Sequence, residues 1–219
     1  MRVIIFANGL FPDPAAHRRL LRPGDLVIAA DGGTLHARAA GVNPHAVIGD
    51  LDSLPADLRD ELAAGDTRLI SRPPAKDETD LELALLYAVE QGAQEIVILG
   101  ALGGRLDQTL ANLLLLALPA LRGLDVRIVE RDQTAFLIRD QATIEGQPGD
   151  VVSLIPLGSD ACGVTTDGLK WPLREETLHF GPARGISNLL LGRQARVRVQ
   201  EGLLLCVVTR ADSALLEEE

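Results

Sequence analysis

Five nearly continuous apolar runs, alternating with helix-like patterns, constrain the first 130 residues more than any other feature. They read "RVIIFANG" (2–9), "DLVIAADGG" (25–33), "AVIGDLDS" (46–53), "EIVILGALGG" (95–104) and "DVRIVE" (125–130). A strand covered on one face alternates apolar and polar residues, whereas a strand covered on both faces stays apolar throughout. Between the runs lie helix patterns at 33–40, 55–64, 79–91 and 106–118. The 79–91 segment carries a capping box, Thr79 with Glu82, an apolar stripe through Leu81 and Leu85, and Gly92 as a stop. Strand and helix in alternation predict an open, mostly parallel sheet with helices on both faces.

After residue 132 the rhythm changes to short extended runs punctuated by Gly and Pro, from "TAFLIRD" to "LLLCVVTR". That spacing predicts a small antiparallel sandwich or barrel. The expected organisation is therefore an α/β domain over 1–132 and an all-β domain over 133–219. The tail "LLEEE" reads as a solvated end.

A formal charge of -10 excludes a dominant basic face, and with it non-specific binding to nucleic acid or an anionic membrane. The run "TLANLLLLALPAL" (109–121) contains Asn112 and Pro119 and is shorter than the roughly 20 residues a bilayer crossing needs, so it reads as a buried helix. The amino terminus has too short an apolar core for a signal peptide. Cys162 and Cys206, far apart and in unrelated contexts, read as reduced thiols of a cytoplasmic protein.

Polar residues cluster where the strands end, which is where open α/β sheets bind ligands. Asn8 and Gly9 follow the first run, Asp31, Gly32 and Gly33 the second, Asp50 and Asp52 the third, and Gly103, Gly104, Arg105 and Asp107 the fourth. Capping and turn formation explain Asp31 as well as a ligand does. They explain "GDLDS" (49–53) poorly, because two carboxylates on one face of a strand repel each other. A divalent cation such as Mg²⁺, which bridges carboxylates to phosphate oxygens, resolves that conflict.

"PPAKDETDLELAL" (73–85) sets Lys76, Asp77 and Asp80 in a loop entering a helix. Of 21 basic residues only Lys76 and Lys170 are lysines, so a compact ammonium kept at 76 points to phosphate. The glycine-rich turn at 103–105 offers backbone N–H groups to an anion, or else simply packs a helix tightly. In the second domain Trp171, the single tryptophan, is either a core anchor or a stacking platform beside Lys170. Ser187 and Asn188 either read the edge of a ring or shape a turn.

Taken together and in order, "ADGG" (30–33), "GDLDS" (49–53), "KDETD" (76–80), "GGRLDQ" (103–108), "GLKWPL" (168–173) and "GISN" (185–188) resemble the thiamine pyrophosphokinase family. The resemblance implies a Rossmann-like α/β domain followed by a β-sandwich, assembled as a homodimer with sites between subunits. It implies transfer of a diphosphoryl group from ATP to thiamine, giving thiamine diphosphate and AMP. By the same resemblance Asp50, Asp52, Asp80 and Asp107 form the Mg²⁺ and phosphate cluster, the metal resting on Asp50, Asp52 and Asp80. Asp31, Gly32, Gly33, Gly103 and Gly104 line the ATP crevice, and Lys76 and Arg105 face phosphate oxygens. Trp171 stacks on thiamine in the partner subunit's site, with Ser187 and Asn188 at the pyrimidine. Two alternatives stay open: a diphosphokinase for another hydroxymethyl heterocycle such as a hydroxymethylpterin, and a sensor of nucleotide or vitamin that does not turn over.

Overall fold

The computed structural model describes residues 1–73 and 77–211. The chain divides into two compact units, Met1–Arg131 and Asp132–Glu219.

The first unit is built on six parallel strands: β1 (Arg2–Phe6), β2 (Leu26–Ala30), β3 (Ala46–Gly49), β4 (Arg68–Ser71), β5 (Glu95–Leu99) and β6 (Asp125–Glu130). They lie side by side in the order β6-β5-β1-β2-β3-β4. Sheet growth runs from β1 through β4 in one direction and then restarts on the other side of β1 with β5. The strand order thus reverses between β1 and β5, and the carboxyl ends at such a switch point are where open α/β sheets bind ligands. The interior strands β1, β2, β3 and β5 are buried almost throughout, as their unbroken apolar runs require, whereas edge strand β4 is not.

Five helices connect these strands: α1 (Pro14–Arg18), α2 (Gly33–Ala39), α3 (Ala56–Ala64), α4 (Asp80–Glu90) and α5 (Leu106–Leu115), with a 3₁₀ turn at Pro119–Leu121. The expected capping box starts α4, where the Thr79 hydroxyl accepts the Glu82 amide at 3.2 Å. Leu81, Ala84, Leu85 and Ala88 bury its inner face. The structure differs from expectation at four places. Strand β4 and the five-residue α1 were not foreseen, and β3 ends at Gly49 rather than running to Ser53. The 109–121 segment is also not a buried helix: Leu106, Leu110 and Leu114, spaced four apart, leave α5 with an exposed apolar stripe. Among the described residues no helix is long and apolar enough to cross a membrane.

The second unit pairs two antiparallel sheets. One has the order β12-β9-β14-β7, formed by β7 (Gln133–Ile138), β9 (Val151–Pro156), β12 (Asn188–Leu189) and β14 (Leu204–Thr209). The other has the order β11-β10-β13-β8, formed by β8 (Gln141–Glu145), β10 (Ala161–Asp167), β11 (Glu176–Leu178) and β13 (Gln194–Arg198). Alternate residues of both sheets, including Ile138, Ile144, Leu154, Val164, Val197 and Cys206, close a single apolar core. Cys206 is one of its fully buried members and Cys162 is half-buried; neither is in a disulfide. The tail over 212–219 and Lys76 lie outside the described residues.

Candidate active site

The crevice at the carboxyl ends of the first unit's strands is a cleft of about 580 Å³. Each wall comes from a different strand end. Asn8 and Gly9 follow β1, Asp31 follows β2, Asp50 follows β3, Thr79 and Asp80 open α4, and Gly103, Gly104, Arg105 and Gln108 follow β5.

Local sequence explains how these groups meet. Gly9 must be glycine because a Cβ there would stand 2.6 Å from the carbonyl oxygens of Gly100 and Leu102. That closeness joins the β1 and β5 loops across the switch point. Gly33 sits even tighter, since a Cβ would fall 2.1 Å from the Phe6 carbonyl oxygen, and Gly32 packs under the Asn8 side chain. Both glycines of "DGG" are buried, and packing alone requires the absence of a side chain at each. The β5 loop is held from within: the Asn112 side chain donates to the Ala101 carbonyl at 2.7 Å, and the Gly103 amide donates to the Thr109 hydroxyl at 3.1 Å.

The oddity of "GDLDS" has a geometric answer. Leu51 adopts a left-handed backbone (φ 64°) and buries its side chain with Ala29, Val47, Leu54 and Leu62. Buried, branched residues seldom accept that conformation, so the core contact holds it there. Asp50 and Asp52 flank this pivot in a turn beyond the strand, and the Asp52 amide donates back to Asp50 Oδ1 at 3.3 Å. Asp31, also left-handed (φ 43°), completes the set: one carboxylate oxygen from each of Asp31, Asp50 and Asp52 lies within 4.8 Å of the others. The sequence reading grouped Asp80 with Asp50 and Asp52. In the structure Asp31 takes that place in the trio, and Asp80 stands beside it, its carboxyl 3.2 Å from where a Cβ on Gly49 would lie.

Asp31 is 6% exposed, and its Oδ1 is fully buried without a hydrogen-bond partner. Burial pushes its carboxyl above the ordinary carboxylate value; the Ser53 hydroxyl and Gly32 amide pull the other way, and the Asp80 and Asp50 charges add to the rise. An orphaned oxygen on a buried carboxylate that is grouped with two further carboxylates is costly unless something positive joins them. The donor set is entirely hard oxygen, which fits Mg²⁺ or a similar divalent cation.

Arg105 and Asp107 lie at the start of α5, both exposed. The guanidinium forms a paired contact with the Asp107 carboxylate, with Nε 3.1 Å from Oδ1. The contact lowers the Asp107 carboxyl, first through the Arg105 side chain and then through the Gln108 amide. Arg105 lines the cleft; Asp107 is engaged by Arg105 and is not among the trio. Asn8, Thr79 and Gln108 line the cleft without having been singled out as site residues. Only their place beside strand ends marks them in the sequence.

In the second unit Trp171 is 55% exposed, so it is not a core anchor. The Lys170 ammonium stands 4.9 Å from the centre of its ring. Asn188, 8% exposed, accepts the Trp171 amide at 3.0 Å and donates to the Trp171 carbonyl at 2.7 Å. Ser187 is exposed and left-handed (φ 58°), and its amide donates to Ser153 Oγ at 3.0 Å.

Comparison with known proteins bears on both units. Residues 17–128 match the family described as thiamin pyrophosphokinase, catalytic domain. Residues 141–204 match thiamin pyrophosphokinase, vitamin B1 binding domain. The thiamine pyrophosphokinase of Bacillus subtilis is 29% identical over 184 residues, which span 83% of this chain and 86% of the relative. Thiamine pyrophosphokinase 1 of Arabidopsis thaliana is 30% identical over 177 residues, 74% of this chain and 64% of that protein. The crystal structure of the Bacillus subtilis protein superposes with a TM-score of 0.85 at 28% identity, covering 97% of this chain and all (100%) of that one. That of Geobacillus thermodenitrificans gives 0.83 at 30% identity, covering 97% and 99%. With a catalytic and a binding family matched in sequence order, and a fold shared across nearly the whole length, this chain belongs to the thiamin pyrophosphokinase family.

Proposed function

We propose that the chain transfers the terminal diphosphoryl group of ATP to the hydroxyethyl oxygen of thiamine, releasing thiamine diphosphate and AMP. One observation carries the site assignment: one carboxylate oxygen from each of Asp31, Asp50 and Asp52 lies within 4.8 Å of the others, and Asp31 also has a buried, unpartnered oxygen. The first unit is the ATP-binding and catalytic domain, and the second is the thiamine-binding and dimerisation domain.

Asp31, Asp50 and Asp52 hold Mg²⁺, with Asp80 completing the acidic wall. A divalent cation held there would supply neutralisation of the phosphate charge and stabilisation of the departing AMP. Gly103 and Gly104 keep the crevice free of side chains, so backbone can approach the phosphates, while Gly32 and Gly33 let the β2 loop pack against Asn8 and Phe6. Arg105 neutralises phosphate charge, and Lys76 serves the same end. Attack by the thiamine hydroxyl on the β-phosphorus requires the incoming and leaving oxygens in line, so catalysis rests mainly on positioning and charge. No histidine lines the cleft among the described residues. Asp80, which lines the cleft, takes the hydroxyl proton in this reading, while Asp107 is engaged by Arg105. Trp171 supplies a flat surface for thiamine, with Ser187 beside it.

The exposed stripe of Leu106, Leu110 and Leu114 supports a homodimer, because monomers seldom leave such a row in water. The compartment consistent with two cysteines held outside any disulfide is the cytoplasm. Purified protein given ATP, Mg²⁺ and thiamine is expected to release AMP in proportion to thiamine, and replacement of thiamine by a hydroxymethylpterin is expected to abolish release. AMP release that is independent of thiamine would overturn this assignment.

A further inference from the structure

We propose that Asn188 is a positioning residue that fixes the backbone of Trp171, rather than a group that reads the substrate. The inference rests on the reading of Trp171 as the thiamine platform, and it starts from how weakly the rest of the fold holds that residue. Leu169 and Leu173 on either side are buried in the core of the second unit, while the indole between them points to water. Packing therefore anchors the flanks and leaves the platform itself unsupported.

Backbone pairing stops just short of it. Leu191 donates to the Gly168 carbonyl at 3.0 Å and Lys170 donates to the Leu189 carbonyl at 2.9 Å. In the antiparallel register these bonds set, Trp171 faces Asn188 at a position where the ladder itself makes no bond, and among the described residues no main-chain group pairs with the Trp171 backbone. The Asn188 carboxamide supplies that pairing. Its oxygen accepts the Trp171 N–H and its nitrogen donates to the Trp171 C=O, closing a ring that imitates a strand pair. The same oxygen accepts the Leu189 amide at 2.9 Å. Buried, with its oxygen and nitrogen both engaged by the main chain, this amide is committed to the fold.

The requirement is specific to asparagine. A carboxamide offers a donor and an acceptor on one short arm; a carboxylate offers two acceptors and would face the Trp171 carbonyl with a second oxygen. Holding the platform still before substrate arrives removes an ordering cost from binding. The effect should therefore fall on thiamine affinity and not on the chemical step.

Because Trp171 is the single tryptophan, its fluorescence reports the platform without any substrate. In substrate-free protein, Asn188→Asp and Asn188→Ala are expected to lower the fluorescence anisotropy and increase quenching by acrylamide. Thiamine KM is expected to rise about tenfold, with ATP KM and kcat within about twofold of the parent. In a Trp171→Ala background, Asn188→Ala is expected to raise thiamine KM by less than about twofold more, since its route of action is gone. Circular dichroism melts identify the variant that folds, and Asn188→Asp, which keeps side-chain size, serves if the alanine variant does not. Unchanged anisotropy together with a raised KM would overturn the proposal, because Asn188 would then touch substrate directly. An additive loss on top of Trp171→Ala would overturn it as well. A parent protein without thiamine-dependent turnover would instead refute the functional reading, and the substrate-free fluorescence would still decide whether Asn188 holds Trp171.

Discussion

Replacing Asp31 with asparagine should make the protein more stable and much less active. The carboxylate sits in a buried position with an unpartnered oxygen and with Asp50 and Asp52 oxygens within 4.8 Å. Two unit charges about 5 Å apart repel by about 3 kcal/mol at an effective dielectric near 20, and by under about 1 kcal/mol in bulk water. Asp31 is buried, Asp50 half-buried and Asp52 exposed, so the real cost lies between these limits. Removing the charge while keeping the shape should return about 1–2 kcal/mol, and the new amide N–H can donate to a neighbouring carboxylate. For a chain of this size that is a rise of about 2–8 °C in Tm. Scanning calorimetry without divalent cation is the assay, followed by the same scan with Mg²⁺. Mg²⁺ should raise the Tm of the parent by relieving the repulsion, and should raise that of the variant less. Turnover should fall by at least about two orders of magnitude, the usual loss on removing one preorganised electrostatic element. A lower Tm in the variant, or equal stabilisation of both proteins by Mg²⁺, would refute this reasoning.

Asp52→Asn, at an exposed position, should leave the Tm within about 1 °C while reducing turnover by at least about a hundredfold, and an unchanged rate in a coupled assay would remove Asp52 from the metal set. Gly33→Ala should give insoluble or unfolded protein, because its Cβ would stand 2.1 Å from the Phe6 carbonyl oxygen in a fully buried strand; solubility and circular dichroism check this. Asp150 gives a pH signature. Burial raises its carboxyl, but the Gln147 and Ala211 amides and Arg210, 2.7 Å away, outweigh that and hold it below the ordinary value. A lowered folded pKa contributes stability above the unfolded value and loses it as pH falls through the folded one. Asp150→Ala should therefore cost about 2–4 kcal/mol in urea unfolding at neutral pH, and the gap should close only in strong acid.

Much of this molecule is legible in the sequence, and the illegible parts share a cause. β1, β2 and β5 announce themselves because burial on both faces leaves an unbroken apolar run. β4 does not, since an edge strand with only Leu69 and Ile70 as apolar residues carries little signal. α1 is five residues long and begins at Pro14, too short for a period to show. The acids of "GDLDS" were visible as a site, but their geometry was not. Asp-Leu-Asp looks like strand alternation, and only the core contact of Leu51 reveals the left-handed turn that carries the two carboxylates toward Asp31. Strand order, which no local pattern encodes, is what makes Asp31 their neighbour. The apolar 109–121 run read as buried because composition shows how apolar a helix is, not which face is covered. Asn188 was visible as a residue that meets a ring or shapes a turn; its ring with Trp171 depends on the register of segments 17 residues apart.

The most direct test of the central claim follows the fate of a label. ATP carrying a radioactive γ-phosphate, incubated with Mg²⁺, thiamine and the purified protein, should yield labelled thiamine diphosphate and AMP in equal amounts, because the β- and γ-phosphates move together. Labelled thiamine monophosphate with ADP, or label recovered only as inorganic phosphate, would contradict it.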